Sequence, residues 1–283
     1  MFRYLTDRTK ATIFYALAFI FSTAVIALAP IFGAGIPAVA MLTPLLVVLL
    51  MLLVVTRDGY TGAGWTALGL HHAGFHTWGL ALLVPLLILG FSYGVLWLTG
   101  IATFAMPAGG GLAMPLLNVV LSIVLTLPLA FGEEIGWRGY LLPHLSALGR
   151  RRAVLLSGLL HGIWHLPILL LTPYYHHAGT PLIVVPLFLV GLTLAGVFYG
   201  ELRLTTGSVW PAAIAHTVGN SLSTAFTACT VTASPLVFEY LVGESGVLTL
   251  IGLVVVAGWI LYRLGQEPRA DELQTAPRVE ASA

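Results

Sequence analysis

Eight apolar runs, each near the length of a membrane-crossing helix, occupy most of the 283 residues. They lie at about 11–31, 36–56, 78–99, 113–132, 153–172, 181–200, 209–230 and 246–263. A helix needs about 20 apolar residues to cross lipid, and in lipid only helices or closed barrels satisfy their own backbone groups. Runs that are apolar without interruption lack the alternation of a barrel strand. The sequence therefore predicts an all-α polytopic integral membrane protein of about eight transmembrane helices. Composition agrees: 58% of residues are hydrophobic and 8% charged, against about 25% charged in soluble domains. A soluble enzyme, a disordered chain or a nucleic-acid binder would need charge that is missing here. The expected organisation is a cytoplasmic N-terminus over 1–10, one membrane domain over 11–264, and a polar, disordered tail over 265–283. The first run does not read as a signal peptide. It is longer than a normal apolar core, and Ala27-Leu28-Ala29 is followed by Pro30. The sole cysteine, Cys229, excludes an internal disulfide framework and reads as apolar packing.

Basic residues test the span count. Arg3, Arg8 and Lys10 precede the first run, and Arg57 follows the second. Arg138 and Arg150 to Arg152 lie between the fourth and fifth, Arg203 between the sixth and seventh, and Arg263, Arg269 and Arg278 at or after the eighth. All 12 Lys and Arg thus fall on one side of an eight-span chain. The positive-inside rule places both termini in the cytoplasm, with the loops near 32–35, 100–112, 173–180 and 231–245 outside. The expected location is the cytoplasmic membrane of a prokaryote. Residues 57–77 read as a cytoplasmic connector with a short interfacial helix holding Trp65 and Leu68. His71, His72 and His76 read as solvated, since no acidic or Cys partner is near. His176 and His177 read the same way on an outer loop, and 107–113 as a flexible turn.

Ionisable groups inside spans are costly and mark functional sites by default. They gather in three places: Glu133, Glu134 and Arg138 at the end of the fourth run, His161 and His165 in the fifth, and His216 and Asn220 early in the seventh. Neighbouring helix positions differ by about 100°, so Glu133 and Glu134 point apart. Glu134 and Arg138, four apart, share a face and can pair, bidentately if the guanidinium lies flat on the carboxylate. Glu133 is left unpaired along its own helix and suits a general base. On position alone both glutamates could simply cap a cytoplasmic helix end. Two buried histidines on other spans weigh against that. His161 and His165 share a face, as do His216 and Asn220, so three helices can aim Glu133, His165, His216 and Asn220 into one cavity. A Glu and a His can hold and deprotonate water, and a His and an Asn can donate to the oxyanion of a tetrahedral intermediate. Ser157 shares a helix with His165 but reads as packing, and no Ser or Cys is placed as a nucleophile.

These residues resemble a known family, the CPBP intramembrane proteases that include the CAAX-processing and bacteriocin-processing enzymes. Glu133-Glu134-x-x-x-Arg138 resembles its first motif, His165 its second, and His216-x-x-x-Asn220 its third. Arg138-Gly139-Tyr140-Leu141, Trp164-His165-Leu166-Pro167 and Gly207-Ser208-Val209-Trp210-Pro211-Ala212 support the match, which covers about 120–225. One position departs: the second motif usually begins with Phe, and here stands His161. The resemblance implies a membrane endopeptidase whose site opens toward the cytoplasm and inner leaflet. It implies that Glu133 and His165 activate water, that His216 and Asn220 hold the oxyanion, and that Glu134 and Arg138 support the site. His161 would be an aromatic substitute for the usual Phe.

A membrane protein or peptide is the expected substrate, with the lipid bilayer as the other partner and no nucleic acid. No cofactor is required in this reading. Zinc is the competing one, with Glu133, His165 and His216 as ligands and His161 as a further nitrogen. Asn220 is a poor zinc ligand, which favours the metal-free mechanism. A proton-coupled transporter could use the same Glu and His groups, but no internal repeat is visible. A bacteriocin-immunity protein without proteolytic activity is the remaining alternative.

Overall fold

The computed structural model describes residues 5–106, 111, 113–174 and 178–266. Most of the expected turn at 107–113, His176 and His177, and the tail from 267 lie outside the described residues. The chain is a helical bundle of α1 (Asp7–Ile26), α2 (Ile36–Val55), α3 (Phe75–Thr99), α4 (Ala113–His144), α5 (Arg150–Leu171), α6 (Pro181–Thr206), α7 (Trp210–Ala228) and α8 (Val247–Gln266). All but α7 are long and apolar enough to cross a membrane. With only a two-stranded ribbon beside the helices, the fold is the expected all-α membrane architecture. The eighth expected span, 209–230, is the helix α7, but its polar residues hold it below the apolarity of the others. It can be polar because protein covers much of it: α7 packs against α3, α4 and α6. Its buried positions include His216, Thr217 and Ser221.

Two expected boundaries change, for one reason. The fourth run was expected to stop at 132 and leave Arg138 in a connector. Instead α4 continues to His144 through a wide π-helical turn over Ile135–Leu141, and every residue of that turn is buried. Protein, not the water boundary, surrounds it: Gly136 abuts Pro44 and Phe14 so closely that a Cβ would collide with the proline. Arg138 is thus part of the interior. The connector 57–77 does carry a short helix, Gly62–Ala67, and the Trp65 indole N–H donates to Gly59 O at 2.8 Å. Leu68, expected at the interface, is buried in the main core.

α5 and α6 share the most extensive helix pair. They approach through glycine: a Cβ on Gly196 would strike the Gly158 backbone and crowd the Arg138 guanidinium. Small residues permit such backbone contact between membrane helices.

The connectors gather at two ends. At the end bearing the Lys and Arg residues, Lys10 pairs with Asp58 at 3.0 Å and Arg263 with Glu201 at 2.8 Å. Arg203 donates to Arg138 O and Ala67 O. At the opposite end a strand β1 (Ala102–Phe104) pairs antiparallel with β2 (Thr230–Thr232), Ala102 facing Thr232. The Glu239 carboxylate accepts from the backbone of Ala178 and Gly179, and the Tyr240 hydroxyl from Thr180 N–H.

Candidate active site

The wide turn within α4 and the two residues before it carry the first group of site residues. Glu133 and Glu134 are the last residues of its regular part, and Arg138 lies inside the turn. π-Bulges often mark functional sites, because one extra residue re-aims the side chains on either side. Glu133, Glu134, Arg138 and His161 are all essentially inaccessible.

Their hydrogen bonds fix the proton positions. Arg138 has donors only. Its Nη1 lies 3.0 Å from Glu134 Oε1 and 3.0 Å from His161 Nδ1, and donates to both. His161 Nδ1 is therefore the acceptor, so its Nε2 carries the proton and donates to Glu133 Oε2 at 2.7 Å. The His161 ring also stacks on Trp137, centroids 5.0 Å apart. His165 donates from Nδ1 to His161 O at 3.0 Å, which leaves an Nε2 lone pair in its neutral form. His216 donates from Nδ1 to Glu134 Oε1 at 2.9 Å, and its ring stacks on Tyr199. Tyr199 also faces the Arg138 guanidinium at 5.1 Å. The Glu134–Arg138 pair uses one nitrogen and one oxygen rather than a bidentate fork, because that nitrogen is shared with His161. Glu134 Oε2 and Arg138 Nε and Nη2 have no hydrogen-bond partner among the described residues.

A cavity of about 410 Å³ lies above this network. Glu133, His165, His216 and Asn220 all line it, while Glu134, Arg138 and His161 do not. The seven residues singled out from sequence thus form two layers, four facing the space and three behind them. His161 does more than fill a phenylalanine slot, since it bridges Glu133 to Arg138. Glu133 accepts its hydrogen bond from His161 Nε2.

Glu133, His161 and His165 bring one potential metal-binding atom each within 4.8 Å of one another. His216, expected as a zinc ligand, lies outside that group, and its Nδ1 donates to Glu134. Of the three, His161 does not suit a cation. Arg138 holds the His161 proton on the nitrogen that faces Glu133, so that nitrogen offers a hydrogen rather than a lone pair.

The cavity lies toward the end of the bundle opposite the Lys and Arg residues. Its walls include Ala38 near the start of α2, Tyr174 beyond α5, and Gly243 and Glu244 before α8. All belong to the end opposite the Lys and Arg residues. Toward the cationic end, Trp137, Arg138, Leu141 and Leu142 are fully buried and close the floor. Glu244 was not singled out from sequence: a lone acid in a Gly-Ser loop carries no signal until a cavity is seen beneath it. Its side chain is open to the cavity, yet protein crowds it closely enough that desolvation pushes its carboxyl up to about 7.

Residues 115–222 match the family model described as Rce1-like, type II CAAX prenyl endopeptidase. Among curated proteins none matches the chain. The matched segment runs from the first turns of α4 into α7 and holds every side chain of both layers, so the part of the chain that carries the candidate site is similar to the Rce1-like CAAX proteases.

Proposed function

We propose that the protein is an intramembrane endopeptidase that hydrolyses a peptide bond of a membrane-associated protein or peptide. One observation carries the reading: Glu133, His165, His216 and Asn220, from three helices, line a single cavity, and a buried polar layer fixes their protons. The Glu133 carboxylate takes a proton from water, steadied by the His161 N–H, while the His165 lone pair orients that water. The water oxygen adds to the substrate carbonyl. The oxyanion that forms is met by His216 and by the Asn220 amide, which has no side-chain hydrogen bond among the described residues. His216 donates to the oxyanion from Nε2 only when doubly protonated. Glu134 supports that form from 2.9 Å. The ionised pair Glu133 and Glu134 then balances Arg138 and His216, so the buried cluster is neutral overall. Glu133 returns its proton to the leaving amine as the intermediate collapses.

The test is a comparison of membrane proteomes from cells carrying wild type or Glu133→Ala. New C-terminal fragments present only with wild type are expected; identical fragment sets would overturn the reading. The metal-free mechanism has its own check. Purified protein should hold well under one zinc per chain and stay active in a strong chelator. Stoichiometric zinc that is lost in His165→Ala, and restores activity to stripped enzyme, would put a zinc protease in its place.

A further inference from the structure

The cavity has a second chemical feature beyond the catalytic groups. Along α7, rising about 1.5 Å per residue, the cavity wall runs from His216 through Asn220 to Ser223 and Thr224, away from the cationic end. Across from it stand Tyr174 and Glu244. Among the described residues no Lys or Arg lies at this end: they sit in the other set of connectors, in the ends of α1, α5, α6 and α8 or, as Arg138, beneath the floor. The acids of the described residues here are Glu239 and Glu244. Glu239 is occupied in accepting from the Ala178 and Gly179 backbone. Glu244 forms no hydrogen bond or ion pair among the described residues, and it is the acid that lines the cavity above Glu133. An unpaired carboxylate in the upper wall of a cavity, with no Lys or Arg beside it among the described residues, attracts positive guests, while the His216 cation lies deeper and is balanced by Glu134.

We propose that the cavity takes its peptide from the end opposite the Lys and Arg residues, which the charge distribution makes extracytoplasmic, and that Glu244 binds a positively charged group of that peptide: a Lys or Arg side chain, or a free amino terminus. The inference rests on the endopeptidase reading for the word substrate, but not for the direction of entry or the sign of charge. It makes Glu244 a specificity residue for basic segments presented from outside. The cytoplasmic approach that the resemblance implies would have to pass the buried floor.

The direction and the charge can both be read without a substrate. In a Cys229→Ala background, Ser223→Cys places a thiol one turn beyond Asn220 on the cavity wall. The probes are two membrane-impermeant methanethiosulfonates, one carrying a trimethylammonium and one a sulfonate, applied to right-side-out and to inside-out vesicles. Labelling from the outside is expected, with the cationic reagent's rate falling roughly three- to tenfold in Glu244→Gln and the anionic rate unchanged or higher. Glu244→Asp should keep the cationic preference, and Thr224→Cys should repeat the pattern, so a local distortion cannot imitate it. Labelling confined to inside-out vesicles would overturn the direction, and an unchanged ratio in Glu244→Gln would overturn the charge recognition. Glu133→Gln should keep the side of labelling and the further fall on Glu244→Gln, so these outcomes stay separable from failure of the protease reading.

Discussion

At the cationic end of the bundle the connectors are tied to one another by Lys10–Asp58, Arg263–Glu201 and the Arg203 bonds to the backbone of Arg138 and Ala67, over a floor of the buried Trp137, Arg138, Leu141 and Leu142. At the opposite end the ties are mostly backbone, a short ribbon and the Glu239 cap on residues 178–179, and a cavity of about 410 Å³ reaches into the interior between them. The difference divides labour along the helices. Charges at the closed end lock geometry, while the open end holds no Lys or Arg among the described residues, and Glu244 is its acid that lines the cavity. Experiments that disturb one end should therefore show in stability, and those at the other in reactivity.

The largest expected effect is at the junction of the two. Glu133→Gln should lower cleavage by at least 10²–10⁴-fold, because the proton acceptor is lost while shape is kept. Circular dichroism and thermal melting in detergent should match wild type. Full activity on a verified substrate would assign the base elsewhere. Glu134→Gln should act from behind the floor and mainly on folding. It leaves the fully buried Arg138 without its counter-charge, a loss typically of about 3–5 kcal/mol. A melting midpoint equal to wild type would mean that Arg138 finds compensation elsewhere.

His161→Phe restores the aromatic residue usual at the start of the second motif and isolates the backing layer. The ring can still stack on Trp137, but Glu133 loses its N–H donor and Arg138 an acceptor. An unmet buried hydrogen bond costs about 1–3 kcal/mol, so turnover should fall roughly five- to 100-fold with the helices intact. Asn220→Ala offers the matching test on the cavity side: turnover should drop with little change in substrate binding, because its contact forms only in the transition state. Equal losses in binding and turnover would make Asn220 a substrate contact instead.

How much of this was legible follows from where the constraint lies. Lipid dictates length and apolarity, so the eight expected runs each meet a helix, seven of them long and apolar enough to cross, and i, i+4 spacing aimed His216 and Asn220 into one space. The four-residue step from Glu134 to Arg138 was also readable, since a turn of helix brings the pair together. What lipid does not dictate was misread. The end of α4 was placed at 132 because water was assumed beyond it, and nothing in the sequence reveals that Phe14, Pro44 and Leu68 would wall in the next turn. The bridge from His161 to Arg138 crosses from α5 to α4, and no spacing rule within one helix reports it. Glu244 depends on a loop lying over a cavity built by other helices, which is tertiary information throughout.

The smallest expected effect is a pH profile at the open end. Desolvation pushes the Glu244 carboxyl up to about 7 from an ordinary 4.5. A carboxyl is neutral below its pKa and anionic above it, so Glu244 should go from about one-tenth ionised at pH 6 to about nine-tenths at pH 8. The preference of a Ser223→Cys thiol for the cationic reagent over the anionic one should therefore rise several-fold across that interval. Thiol ionisation also rises with pH, but it speeds both reagents alike and cancels in the ratio. Glu133, His165 and His216 on the floor, and Tyr174 on the wall, share the cavity with Glu244 and bring charges of their own. Glu244→Gln separates them: whatever slope survives in that variant belongs to the floor, and the part that disappears belongs to Glu244. A profile identical in the two proteins would show that the open end carries no charge of its own, and the contrast between the ends would then rest on packing alone.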